Sequence, residues 1–356
     1  MVRTNSVSVM LTVFYFVIFF LGMQVVSAAQ PIEYVGSVSV NEPLGRIVAD
    51  PTKPEVYGIT STGDVVFIDC RGRTVQKVIS TGRVLRDIDV DSQGRYMYVL
   101  DNVTGAYWNQ PPAVYVLKYD LASQSAADIK LANAPMYQMA LGRTNRWLGV
   151  GLNQWVSAYQ VNSQTGALLS SADGGYYGSA EWNAQTFVST SDGNRLFRTE
   201  IGISSIDLIA YDTSTDTITK INTRGVGSYS TEPVFINSTD SSLYVGDLRI
   251  DPGNISTVLG MFPETIYAAT GDNSLAFGTG FVYDPVWGTR LQSMPVNFSM
   301  MAIGDNDQYL YSFDTASQKL HIMHVVPEPV SAILLGFGAI FIRRKRQNNQ
   351  LKISVR

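Results

Sequence analysis

From Pro31 to Val326 the apolar positions come in short runs, alternating or continuous, separated by Gly, Asp, Asn and Ser. No stretch keeps the 3.6-residue period of an amphipathic helix, so the pattern predicts an all-β body of many short strands. Aligning the runs exposes a repeated phrase, an apolar or aromatic run followed by Asp and a small polar turn. It reads Val65–Asp69, Val114–Asp120, Leu208–Asp212, Phe281–Asp284 and Tyr311–Asp314, with weaker copies ending at Gln160 and Asp251. The seven copies recur every ~41 residues, the period of a β-propeller blade of four short strands.

The fourth unit shows a whole blade. Strands are predicted over Thr186–Thr190, Arg195–Glu200, Ile206–Tyr211 and Thr217–Asn222, with turns at Ser191–Asn194 and Asp212–Asp216. Asp and Asn in such turns accept nearby backbone N–H groups, which explains the repeated Asp as turn chemistry. The seventh unit has strands near Met300–Ile303, Tyr309–Phe313 and Lys319–Val325 but no fourth before Val326. Glu33–Val40 is an orphan strand. Placed as the outermost strand of the last blade, it closes the ring 3+1 and removes an exposed edge. The expected fold is therefore a seven-bladed β-propeller over 30–326.

Both ends read differently. Residues 1–29 carry Arg3 as their single charge, an apolar run over Val9–Val26 and small residues at Val26-Ser27-Ala28-Ala29. These are the parts of a secretory signal peptide cut after Ala28 or Ala29. At the far end Val326-Pro327-Glu328-Pro329 precedes an apolar run, Val330–Ile342, and then Arg343-Arg344-Lys345-Arg346. Thirteen apolar residues fall short of the ~20 of a standard spanning helix. Starting at Pro327 and letting Arg343 and Arg344 snorkel brings the segment close to a thin bilayer. The basic cluster then stays on the cytoplasmic side with the body outside, and 347–356 forms a cytoplasmic tail.

Charge sharpens this division. Without Arg3 and the six cations after Ile342, 19 Lys and Arg face 30 Asp and Glu, a net of −11 against −4 for the whole chain. A body so acidic repels phosphate backbones, which argues against a nucleic-acid partner. Cys70 is the one cysteine, so no internal disulfide staples the fold.

Chemistry is sparse. The two histidines, His321 and His324, are three apart on a strand and point to opposite faces, a poor pair of metal ligands. No G-x-S-x-G elbow or phosphate-binding Gly-rich loop occurs. Asp89–Gly94 begins like a calcium loop, but Leu100 stands where its bidentate Glu belongs. No catalytic residue, cofactor or metal is expected. Connections of second to third strands and of blade to blade open on one face, and two of them are long and aromatic. Asn102–Pro112 carries Tyr107 and Trp108, and Asp173–Asn183 carries Tyr176, Tyr177 and Trp182. Tyr137 and Tyr229 fall in further blade-to-blade connections. These seven rings are ligand-binding candidates, since exposed aromatics stack on sugars or peptides at low entropic cost.

The tail, with Pro327, Glu328 and Pro329 ahead of an apolar run and a basic cluster, closely resembles the PEP-CTERM sorting signal. Over some thirty C-terminal residues, with the motif, helix and basic cluster in order within 327–346, that resemblance implies processing by signal peptidase and an exosortase. The departure is ten residues after Arg346. Asp50-Pro51, Tyr57-Gly58 and Tyr98–Asp101 resemble phrases of YVTN-type and tryptophan-aspartate-type propellers. Together these imply an exported bacterial surface or matrix protein, transiently in the membrane through its C-terminal helix. Its non-catalytic propeller would bind exopolysaccharide or another surface protein. The alternative is an extracellular propeller enzyme: a lyase, lactonase or metal-dependent hydrolase.

Overall fold

A computed structural model describes residues 30–101, 114–132, 136–151, 156–173, 187–201, 206–227 and 233–326. Within it Ile32–Val325 forms one compact unit of 28 described strands. The order begins with β1 (Ile32–Ser39). Blade 1 is β2 (Leu44–Ala49), β3 (Glu55–Thr60), β4 (Asp64–Asp69) and β5 (Thr74–Ser80). Blade 2 is β6 (Leu85–Val90), β7 (Tyr96–Asp101), β8 (Val114–Asp120) and β9 (Ser125–Leu131). Blade 3 follows with β10 (Met136–Leu141), β11 (Arg146–Gly151), β12 (Val156–Asn162) and β13 (Leu168–Asp173). Blade 4 is β14 (Phe187–Ser189), β15 (Arg195–Ile201), β16 (Ile206–Asp212) and β17 (Thr219–Gly227). Blade 5 holds β18 (Val234–Ile236), β19 (Leu243–Val245), β20 (Leu248–Ile250) and β21 (Val258–Met261). Blade 6 holds β22 (Ile266–Ala269), β23 (Ala276–Gly278), β24 (Phe281–Tyr283) and β25 (Arg290–Ser293). Blade 7 takes β26 (Met300–Gly304), β27 (Tyr309–Asp314) and β28 (Lys319–Val325), and its fourth strand is β1.

Seven four-stranded antiparallel sheets make a seven-bladed propeller. The predicted 3+1 closure is present: β1 pairs with β28 from Ile32↔Val325 to Ser39↔Lys319. First strands of neighbouring blades meet around the ring, as β2 does with β6 and with β26.

Apolar side chains pack between blades, which is why the middle strands read as continuous hydrophobic runs. Both faces of such a strand are covered, and β4 is buried from Val65 to Ile68. Alternate residues then serve opposite neighbours. Val66 and Ile68 join Phe313 and Ile322 of blade 7, whereas Val65 and Phe67 meet Ile88 and Val99 of blade 2. Cys70 is buried in the core between blades 7 and 1.

Outer strands alternate between half-buried and exposed, as in β5. Their free edges are blunted. Six of the seven described outer strands have a register irregularity against the strand inside them. The seventh, β9, carries Asp128 and Lys130.

The repeated Asp is a turn device in six of the seven blades. Between third and fourth strands Asp69, Asp120, Asp212, Asp251 and Asp284, and between the second and third strands of blade 7 Asp314, each accept a backbone N–H two residues on. In blade 3 the residue at this position is Asn162, which accepts Gln164 N–H at 2.9 Å. The sequence phrase that seemed to end at Gln160 therefore runs two residues further. Gln160 is instead fully buried and donates to Thr215 O. Turns between first and second strands overlap from blade to blade. A side chain on Gly193, at φ +67°, would collide with Gly142 and Arg143 of blade 3, about 2 Å from its Cβ.

No helix among the described residues is long and apolar enough to cross a membrane. The signal-peptide segment 1–29, the sorting segment from Pro327 with Glu328, Pro329 and the basic cluster Arg343–Arg346, and the tail to Arg356 lie outside the described residues.

Candidate functional site in the central channel

The first strands of all seven blades wall a channel that, together with a recess beside it, encloses about 740 Å³. It opens among the turns between first and second strands, at Pro51, Asp91, Thr144, Asp192 and Ser238. A β-strand on the inner edge of a blade should be apolar toward both neighbours. β6 breaks this rule with Leu85-Arg86-Asp87-Ile88-Asp89-Val90, and both acids have structural partners.

Asp87 is fully buried. It accepts Arg46 Nε from blade 1 at 2.8 Å and Met139 N–H from blade 3 at 2.7 Å. One carboxylate thus joins three blades. Burial raises its pKa, against the pull of the Arg46 guanidinium. Asp89 lines the channel itself. Burial pushes its carboxyl up to about 7, and the charge of Asp87 adds to the shift, while the Val90 N–H it accepts at 2.8 Å opposes it.

Polar groups complete the ring of inter-blade ties. Ser189 Oγ donates to Leu141 O at 2.6 Å, linking blades 4 and 3. Ser191 N–H donates to Asp240 at 2.9 Å, linking blades 4 and 5. Asn237 Nδ2 reaches Gly271 O at 2.9 Å, and Gly271 N–H donates to Asp307 at 2.6 Å. Asp305 N–H donates to Asp50 O at 3.0 Å and returns the ring to blade 1.

Beside the channel, between blades 2 and 3, lies a recess of rings and cations. Lys118 Nζ sits 4.0 Å from the Tyr96 ring centroid, with the Arg95 guanidinium 5.8 Å from the same ring. Tyr98 packs edge-on against the buried Trp147 at 5.6 Å. Arg143 and Arg146 both pair with Asp216 of blade 4. The channel and its recess are lined by Arg46, Arg95, Lys118, Arg143 and Arg146 against Asp89, Asp91 and Asp192. With the partners Asp87 and Asp216 counted, five cations here face five carboxylates, so the region balances its charge on an otherwise acidic body, and Lys118 over Tyr96 is the cation set against a ring instead of a carboxylate.

Chemically, most of these charges neutralise one another rather than converge on a point where a substrate atom could react. Among the described residues no group of three His, Cys, Asp or Glu could hold a metal ion. His321 Nδ1 lies 3.3 Å from Tyr34 OH, whereas His324 packs against Tyr309, so the two imidazoles have separate surroundings. Asp91, in the segment resembling a calcium loop, accepts Tyr96 N–H at 3.1 Å and pairs with Arg95.

Of the aromatic ligand candidates, Tyr137 is described. It was expected in a blade-to-blade connection, but it is the second residue of β10 and is buried. The Arg86 guanidinium stacks 4.9 Å from its ring and donates to its hydroxyl at 3.1 Å. Tyr107, Trp108, Tyr176, Tyr177, Trp182 and Tyr229 lie outside the described residues. The strand ends that flank them, Asp101 with Val114 and Asp173 with Phe187, share the end of the propeller opposite the described channel mouth. Val326, expected from the sequence to open the sorting motif, directly follows β28. Sequence reasoning missed Arg46, Asp87, Tyr96, Lys118, Arg143 and Arg146. The available signal was the pair of acids in β6, polar at positions where an inner strand is otherwise apolar.

No family model matches the chain, and no curated protein matches it. Solved structures match in fold. Kuenenia stuttgartiensis hydrazine synthase superposes with a TM-score of 0.56 at 10% identity, covering 81% of this chain and 97% of that one. A chain of the mitotic checkpoint complex gives 0.59 at 10% identity, covering 83% and 91%. At such identity the likeness is one of fold alone.

Proposed function

We propose that the chain is an exported bacterial surface or matrix protein with a PEP-CTERM-type sorting tail, whose propeller is a non-catalytic binding module. Signal peptidase and an exosortase process it, and its ligand is an extracellular polysaccharide or another surface protein. The observation carrying this reading is the recess beside the channel, where Lys118 lies over the Tyr96 ring and Tyr98 meets Trp147 edge-on, on an otherwise acidic body. Rings give sugars a flat apolar platform, and cations beside them favour acidic sugars over neutral ones.

Two experiments test it. The full chain should be retained by immobilised polyuronate and pass through neutral dextran, with Tyr96→Ala and Lys118→Ala each weakening retention about five-fold or more. Equal behaviour on both polymers removes the ligand assignment. Replacing Pro327-Glu328-Pro329 with alanines should leave an uncut membrane-bound precursor, while wild type loses its cationic tail. Arg356 detected by mass spectrometry on the mature surface protein refutes the sorting assignment.

An extracellular propeller enzyme has one observation in its favour. Asp89, in the channel wall, has a carboxyl pushed up to about 7, the range of a general acid. Turnover of a polysaccharide that disappears in Asp89→Asn would replace the binding reading with this one.

A further inference from the structure

Ten large apolar side chains stand exposed among the described residues, and six of them belong to one neighbourhood. Val258, Leu259 and Met261 come from β21, the outer strand of blade 5. Val286 and Trp287 form the turn before β25 of blade 6, and Leu291 lies in β25. Trp287 is 78% exposed, Met261 66% and Val286 56%. The two segments abut. Arg249 Nη1, from the strand beside β21, donates to Pro285 O at 3.1 Å. A Cβ on Gly288 would lie 2.8 Å from Met261 O, and one on Gly260 3.4 Å from Pro285 O.

Local structure explains why these residues face solvent. Asp284 holds the turn by accepting the N–H groups of Val286 and Trp287. In β21 the register against β20 skips Leu259, so Val258 and Leu259 are both exposed instead of alternating. Of the seven described outer strands, β21 alone has no charged residue; the others carry at least one, such as Lys77 in β5 or Arg290 in β25. Charge on an edge strand keeps it from associating, and here that protection is missing.

We propose that this surface of blades 5 and 6 is an interface between two copies of the chain. The six side chains and the edge strand β21 carry no charge, with Arg290 at the border of the patch, so the apolar surface is complementary to itself across a two-fold axis, the commonest symmetry of homo-oligomers. Its six side chains offer on the order of 600 Å², close to the ~800 Å² each partner gives to a standard interface. Elsewhere the body is acidic, so two copies repel unless they meet where the surface is neutral. Trp287, projecting furthest into solvent, is the anchor residue, in keeping with the enrichment of Trp among interface hot spots.

The test uses the full chain in mild detergent with single introduced thiols, since Cys70 is buried. Met261→Cys and Leu291→Cys, which leave the anchor Trp287 in place, should be joined into dimers by a short bis-maleimide. Val78→Cys, exposed on the outer strand of blade 1, should stay monomeric. Met261→Asp, at a side chain that leaves the core untouched, should keep the wild-type melting temperature and weaken dimerisation about thirty-fold or more, the size of a hot-spot loss. Monomers at all three positions, or cross-linking at Val78→Cys as readily as at Met261→Cys, overturns the proposal. So does capture of lipid vesicles by wild type that Met261→Asp abolishes, which would assign the patch to a membrane surface.

Discussion

Asp87→Ala puts the inter-blade ties to a quantitative test. The carboxylate is fully buried and holds Arg46 at 2.8 Å, Met139 N–H at 2.7 Å and Ile88 N–H at 2.8 Å. Truncation leaves a largely buried guanidinium without its counter-charge and buried amides without an acceptor. Breaking a buried pair by removing one partner costs about 3–5 kcal/mol, and an orphaned N–H adds about 1–3 kcal/mol. Against this, the variant no longer desolvates a carboxylate and no longer repels Asp89. A net loss of about 3 kcal/mol remains, a fall in Tm of roughly 4–6 °C for a domain of this size. Asp87→Asn, which keeps an acceptor, should lose about half as much. Urea melts of wild type, Asp87→Ala, Arg46→Met and the double variant complete the cycle. Coupling between Arg46 and Asp87 should exceed ~1 kcal/mol. A loss below ~1 kcal/mol for Asp87→Ala, or no coupling, would refute the view that this carboxylate ties blades 1, 2 and 3 together.

Asp89 sets a pH dependence of definite sign. Its folded pKa is raised to about 7 from 3.8, so the stability it contributes is present below its unfolded value and lost as pH rises through 7. Asp89→Asn should flatten the decline in melting temperature between about pH 4 and 7, and an unchanged slope would contradict it. Asp120, Asp212 and Asp314 act in the opposite sense. Hydrogen bonds in their turns lower their pKa, so their contribution is lost only as pH falls below the usual carboxylate range. Deleting Ile32–Ser39 should uncover β28, remove buried Ile32 and Val38 and cause aggregation, read by light scattering. A monomeric deletion variant with wild-type Tm would mean that the closing strand is dispensable.

The blade count, the ring closure and the role of the repeated Asp were legible in the sequence because each has a local cause. An Asx turn needs an acceptor and an N–H two residues on, so Asp69 or Asp314 announces its turn wherever the strand sits. Closure followed from counting, since blade 7 lacked one strand and Glu33–Val40 had no other place. Strand ends that depend on pairing were not legible. Asn162, not Gln160, ends β12, because the ladder with β11 begins at Arg146↔Asn162. Tyr137 likewise joined β10, where Met139 and its neighbours pair with β11.

The channel belongs wholly to the tertiary level. Arg46, Asp87 and Met139 lie some forty and fifty residues apart and meet because three successive blades bring their inner strands to one axis. The apolar patch is also non-local, formed where β21 of one blade abuts the turn of the next. Sequence determined the repeat, because strands, turns and their period depend on neighbours along the chain. Structure alone decided which side chains share a site, because a propeller assembles its sites from residues one blade apart.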